Sequence, residues 1–247
     1  PETDRLVDAI WVGDEPSNVV IDPAVSVAYV SLETESAIAV VDLETRTVTD
    51  RLESLPNPRA MTISSDGRTL FVAGHRTGRP ARFPYAEDEG GQVDIQAIDL
   101  ETGDIRWSVE EAGNIITDIA LDEATSTIWV TATVTFPERG LVTLDNPPFE
   151  AHVQAFDSET GEPMQGTVLG PASDEEGYVL GPQALWLTDD AIWVAAQDSG
   201  VVIELDGETL DERQRIALPG GPRSLLGSSD ALWVHAPHTM TCLLYTS

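Results

Sequence analysis

Val27-Ala28-Tyr29-Val30-Ser31, followed by Ile38-Ala39-Val40-Val41-Asp42-Leu43-Glu44-Thr45, is the stretch on which the fold turns. It carries two landmarks: an apolar residue, an aromatic and a valine, then an apolar run ending in Asp-x-Glu-Thr. The first landmark returns as Leu70-Phe71-Val72, Ile128-Trp129-Val130, Ile192-Trp193-Val194 and Leu232-Trp233-Val234. The second starts again at Asp99, Asp157 and Asp206, and the two alternate strictly along the chain. Self-similarity of this kind marks a repeat architecture, in which each unit buries its apolar surface only against its neighbours.

Outward from each landmark the chain reads as short strands separated by polar turns. A strand precedes each aromatic, at Val19–Ile21, Ala60–Ile63, Asp118–Leu121, Ala184–Leu187 and Ser224–Leu226, joined on by a turn such as Ser64-Ser65-Asp66-Gly67. Another strand follows the Asp-x-Glu-Thr turn, as in Thr47–Leu52 and Asp104–Val109. Each unit is thus four antiparallel strands, a to d. Such a sheet covers both its faces by packing radially on copies of itself, which predicts an all-β propeller of four-stranded antiparallel blades. Blades are expected near 17-58, 59-114, 115-182 and 183-222, with a partial blade at 223-240. Residues 5-12 are expected as the outer strand of a preceding or closing blade. Nothing after Val234 reads as strand c, and residues 241-247 break the repeat in the manner of translated adaptor sequence. The ring is therefore expected to be incomplete, and the initial Pro1 marks a processed end or a cut.

The runs Val12-Gly13-Asp14-Glu15-Pro16, Val27–Ser31 and Ile38–Thr45 together resemble the bacterial YVTN-type propeller repeat, and Arg59 through Val72 repeats the pattern. The likeness extends from about residue 5 to residue 237 outside the insertions. It implies a WD40-like scaffold of an exported kind, periplasmic, cell-surface or secreted, although no signal peptide opens the chain. Ala191-Ile192-Trp193-Val194 through Trp233-Val234 is also similar to repeats of lyase and lactonase propellers, whose active sites lie at the channel mouth. Some YVTN-type propellers precede a c-type haem domain, which would lie beyond residue 240.

Composition narrows the partners. The 247 residues carry 43 acidic and 13 basic side chains, a formal net charge of −30. Every basic residue is Arg; there is no Lys. A field of that sign repels phosphate backbones and anionic membranes, which argues against nucleic acid as partner. It reads as a solubility surface, suited to a salty medium that screens the self-repulsion, or as one that collects divalent cations or a basic partner. The apolar runs are too short for membrane insertion as a helix. Cys242 stands alone, so there is neither a disulfide framework nor a thiol metal site.

Spacing locates the decoration. From aromatic to Asp it is 13 residues in two blades (29 to 42, 193 to 206) and 28 in two others (71 to 99, 129 to 157). The extra length falls in b–c loops at 75-91 and 133-151, and a smaller excess falls in the d-to-a connection around 171-180. Strand alternation puts all three on one rim, leaving tight turns on the other. Long loops on a rigid scaffold are where binding concentrates, so function is expected on the decorated rim and at its channel mouth.

Candidate chemistry is sparse. His75, Arg76, Arg79 and Arg82 lie in the first insertion, where planar guanidinium donors suit a small anionic ligand, or else pair with Glu87, Asp88 and Glu89. Arg59 and Arg223 follow Pro58 and Pro222 at matching positions opening strand a, and are read either as anion contacts at the mouth or as bridges between blades. His235 ends the last b strand near them, and completes the expected ligand-binding set. His75, His152, His235 and His238 are not at equivalent blade positions, so no metal centre is assigned. The Asp-x-Glu-Thr turns read as backbone-holding turns rather than calcium loops. No nucleophile elbow, phosphate loop, zinc helix or haem-attachment motif is present, and no catalytic residue or cofactor is named. The expected function is a non-enzymatic scaffold binding a protein or small ligand; a channel-mouth enzyme and the propeller half of a haem redox protein are the alternatives.

Overall fold

The computed structural model describes residues 8–22, 24–74, 93–110, 112, 115–135, 149–170, 181–218, 220–228, 231–237 and 239–244. Among them every regular element is a strand. The first sheet holds β1 (Pro16–Asp22), β2 (Val27–Leu32), β3 (Ala37–Asp42) and β4 (Thr47–Glu53). The second holds β5 (Pro58–Ile63), β6 (Thr69–Gly74), β7 (Val93–Asp99) and β8 (Ile105–Glu110). The third is β9 (Ile115–Asp122), β10 (Thr127–Thr135), β11 (Phe149–Asp157) and β12 (Pro163–Val168). The fourth is β13 (Pro182–Leu187), β14 (Ala191–Ala196), β15 (Val201–Asp206) and β16 (Glu212–Ala217). The fifth holds β17 (Ser224–Gly227), β18 (Ala231–Ala236) and β19 (Thr239–Leu244). Within each sheet the strands are ordered as in sequence and pair antiparallel. The a strands stand beside one another in chain order, β1 by β5, β5 by β9, β9 by β13 and β13 by β17. Strands β4, β12 and β16 are largely exposed. This is a partial β-propeller with the a strands innermost.

No single core exists; each apolar cluster is a seam between two blades. Tyr29 packs with Met61 and Ile63 of the next blade. Phe71 packs with Ile119 and Leu121. Trp129 packs with Leu185 and Leu187, and Trp193 with Leu225. The aromatic landmark recurs because at each seam one large ring fills the gap between twisted sheets.

The Asp-x-Glu-Thr turns are held by their own aspartates. Asp42 Oδ1 accepts the amides of Glu44 and Thr45 at 2.8 and 2.7 Å, and Asp99, Asp157 and Asp206 repeat the arrangement. Those amides hold the carboxyls of Asp42 and Asp157 below the usual range. The turn's last residue is left-handed: Arg46 at φ 58, Gly103 at 78, Gly161 at 74 and Leu210 at 61. Side chains at two of these show that the backbone alone does not demand glycine. At Gly161 a Cβ would meet Trp107 Cε3 at 2.7 Å, whereas at Gly103 the nearest atom is Leu52 Cδ2 at 3.5 Å. Gly161→Ala is thus expected to lose about 2 kcal/mol, the overpacking penalty added to a left-handed alanine, and Gly103→Ala about half that. Equal shifts of the two urea midpoints would overturn the assignment to Trp107.

Two expectations are corrected. Asp8–Gly13 form no strand: side chains clip the segment to the first blade, Arg46 Nη1 to Asp8 Oδ2 at 3.4 Å and Arg51 Nη2 donating to the Val12 carbonyl at 2.9 Å. A strand c does follow Val234, since β19 pairs along the whole of β18 from Ala236 with Thr239 to Ala231 with Leu244. It lacks the Asp-x-Glu-Thr landmark. The free edge of β18 offers a row of unpaired amides, and Thr-Met-Thr-Cys-Leu-Leu suits an extended partner.

Candidate functional site: the channel mouth on the decorated rim

The mouth is built where the a strands begin. In four blades the a–b register slips at that point, between Pro16 and Val19, Pro58 and Ala60, Thr131 and Ala132 opposite β9, and Pro182 and Ala184. A bulge leaves one residue of the a strand unpaired and re-aims its side chain. Proline opens most of these strands, as suits the first residue of a strand at the edge of its sheet. The re-aimed residues are Ser17, Arg59, Thr117 and Gln183, and in the fifth blade Arg223 holds the matching place.

Two of these grip the next blade. Ser17 Oγ stands 2.8 Å from Ser31 Oγ and donates to the Pro58 carbonyl at 3.0 Å. Thr117 Oγ1 stands 2.9 Å from Thr131 Oγ1 and donates to the Pro182 carbonyl at 2.5 Å. Beside Thr117, Asp118 reaches the same seam. Its Oδ2 accepts the Leu185 amide at 2.8 Å and its Oδ1 that of Ile119 at 2.9 Å. Burial nevertheless pushes its carboxyl up to about 6, against the pull of both amides. In the second and fourth blades alanines, Ala73 and Ala195, take the place of Ser31 and Thr131.

Arg59 and Arg223 differ from the other described arginines. Arg46, Arg51, Arg68, Arg106, Arg213 and Arg215 each stand within 4 Å of a carboxylate. Arg59 and Arg223 are exposed, and among the described residues neither makes a salt bridge. His235 is exposed beside Arg223, whose amide donates to the His235 carbonyl at 2.8 Å. His75, Arg76, Arg79 and Arg82 lie outside the described residues, as does His238. His152 sits in β11 against Glu150, 3.3 Å from Nε2 to carboxylate. Among the described residues no group of His, Cys, Asp and Glu is placed to hold a metal. Sequence reading missed Gln183 and Asp118. Gln183 was legible as the residue after the proline opening strand a, and Asp118 as an acid inside an apolar strand.

The opposite rim holds a cleft of about 650 Å³ between the third and fourth blades, lined by Asp122, Trp129, Leu187, Asp190, Asp206 and Arg213 among others. Arg213 closes its acidic side, at 2.9 Å from Asp190 and 2.8 Å from Asp206. Backbone amides of the turn, then Arg213, hold the Asp206 carboxyl far below its ordinary value.

No family model matches the chain, and no curated protein matches it. Among solved structures, hydrazine synthase of Kuenenia stuttgartiensis superposes with a TM-score of 0.80 at 18% identity, over 97% of this chain and 74% of that one. A functionally unknown protein from Desulfotomaculum acetoxidans DSM 771 superposes with a TM-score of 0.67 at 10% identity, over 96% of this chain and 68% of that one. Identities this low carry the fold and no activity.

Proposed function

We propose that this chain is a non-enzymatic propeller scaffold that captures an anionic ligand, a carboxylate or phosphate group, at the channel mouth on the rim of the long b–c loops. The observation that carries the reading is the pair Arg59 and Arg223. They occupy the same place in two blades, are exposed, and make no salt bridge among the described residues of a chain with a net charge of −30. An arginine amid such an excess of acids finds a carboxylate readily, as the other described arginines do. The matching hydroxyls of Ser17 and Thr117 spend their bonds on the next blade. Arg59 and Arg223 keep their planar donors for a ligand, and His235 beside Arg223 adds a further donor. The exported setting rests on the resemblance of the repeat to YVTN-type propellers.

Titration calorimetry with inorganic phosphate and with citrate, in about 0.15 M salt, tests the site. Arg59→Ala and Arg223→Ala are each expected to weaken binding by about tenfold or more, the value of one charge-assisted hydrogen bond. Arg68→Ala, on the opposite rim in the turn after Ser64, is expected to change nothing. Unaltered affinity in the Arg59/Arg223 double variant, or no binding by the unmodified chain, would falsify the proposal.

A further inference from the structure

In each of the four blades that hold a d strand, the c–d register slips once beside the Asp-x-Glu-Thr turn. The residue at the slip is Thr49, Arg106, Met164 and Arg213 in chain order, and a bulge re-aims its side chain. Arg106 uses the position to tie a seam. Its Nη1 donates to Thr69 Oγ1 at 2.8 Å, and its Nη2 stands 3.3 Å from Glu159 on the turn of the third blade. The seam between the third and fourth blades keeps both partners and lacks the arginine. Thr127 lies opposite Asp157 as Thr69 lies opposite Asp99, and Glu208 holds the place of Glu159 in its turn. Met164 stands where Arg106 would, its sulfur 3.8 Å from Thr127 Oγ1. Thr127, Met164 and Glu208 all line the cleft of about 650 Å³, together with Asp189. Arg213 at that cleft is taken by Asp190 and Asp206, whereas Glu208 and Asp189 make no salt bridge among the described residues.

The outer strand beside this cleft differs from its counterparts. β4 carries Asp50, Arg51 and Glu53, β8 carries Arg106 and Glu110, and β16 carries Glu212, Arg213 and Arg215. β12 carries no charge, and its Met164 and Val168 are 55% and 50% exposed. Charged side chains are a common guard against pairing at an outer edge. The Leu169 amide bonds inward to the Ala151 carbonyl at 2.8 Å, so by antiparallel alternation Val168 and Gly166 turn their backbone groups outward. β12 belongs to a blade flanked by the second and the fourth, so its exposure does not depend on the first or last blade. We infer that the third blade docks an extended, arginine-bearing segment of a partner protein. The segment pairs with β12 as a fifth strand and lays a guanidinium into the cleft, in the place that Arg106 fills one seam earlier. Charge complementarity selects this occupant: the preceding seam shows a guanidinium fitting between a threonine hydroxyl and a turn glutamate, and here that pair faces Met164. Main-chain bonds to β12 supply affinity, and the cleft supplies the choice of side chain.

Titration calorimetry with the peptide acetyl-Val-Arg-Val-Arg-Val-amide, in about 0.15 M salt, is the test. The same peptide with citrulline for arginine, and free arginine, are the companion probes. The unmodified chain is expected to bind the arginine peptide, and each companion probe about tenfold or more weakly. Glu208→Gln is expected to weaken the arginine peptide by about tenfold. Met164→Arg gives the cleft a guanidinium of the chain's own, as Arg106 does in the preceding seam, and is expected to abolish binding. Met164 and Glu208 are both exposed, so both variants are expected to fold; circular dichroism and urea unfolding check this. Glu101→Gln, at the matching place in the second blade, is expected to change nothing. No binding of the arginine peptide by the unmodified chain overturns the inference, as does unaltered affinity in Met164→Arg. Equal affinity for the citrulline peptide removes the guanidinium from the account, and equal affinity for free arginine removes the pairing on β12; either overturns it. Equal losses in Glu101→Gln and Glu208→Gln overturn it as well, since they are the mark of general attraction to an acidic chain.

Discussion

Replacing Trp193 by alanine is expected to destabilise the protein by about 3–5 kcal/mol, while the same change at Trp233 costs about 1 kcal/mol. Both residues occupy one position of the repeat, and local sequence is nearly the same around them: Ala191-Ile192-Trp193-Val194 against Ala231-Leu232-Trp233-Val234. What differs is the neighbour. Trp193 is 2% exposed, enclosed by Ala191, Val202, Leu232 and Val234, with Trp186 across the strand pair and Leu225 on the next blade. Its loss empties a space that rigid sheets on both sides do not refill, so a cavity penalty adds to the lost transfer energy. Trp233 has no following blade against it among the described residues. Chemical denaturation of the two variants reads the difference directly. Comparable losses at both sites would mean that the aromatic acts within its own sheet and not at the seam.

The second large effect is a pH dependence centred on Asp118. With its carboxyl pushed up to about 6 in the folded protein and an ordinary value of 3.8, the folded state holds a proton between roughly pH 4 and 6 that the unfolded chain has released. Its contribution is therefore full below the unfolded value and is lost as pH rises through 6. The span corresponds to about 3 kcal/mol. Asp118→Asn keeps an acceptor for the Leu185 amide but carries no charge to bury. Relative to the unmodified chain it is expected to gain about 2–3 kcal/mol between pH 4 and pH 7. Taking the difference between the two proteins cancels the titration of the other carboxylates. Asp118→Ala instead leaves the Leu185 amide without its acceptor and costs about 1–3 kcal/mol. A stability difference between the Asn variant and the parent that is flat in pH would show that the two amides, not burial, govern the group.

The resemblance to exported repeats and the superposition on two distant structures bear on scaffold alone.

Strand pattern, blade order, the rim carrying the long loops and the aspartate-held turns were determined by the sequence itself, because each rests on signals within a few residues: alternation, landmark spacing, and a carboxylate reaching amides two and three positions on. The tertiary structure alone decided what equivalent positions do. It turned Ser17 and Thr117 into clamps on the next blade while leaving Arg59 and Arg223 exposed. It buried Trp193 and left Trp233 partly bare, placed Asp118 under the Leu185 amide, and drew Thr239–Leu244 onto the edge of β18. The physical reason is common to most of these. A propeller blade is completed by a neighbour some 40 to 70 residues away in the chain, so burial, hydrogen-bond partners and proton affinity are properties of the seam, and no residue's own stretch of sequence contains the seam.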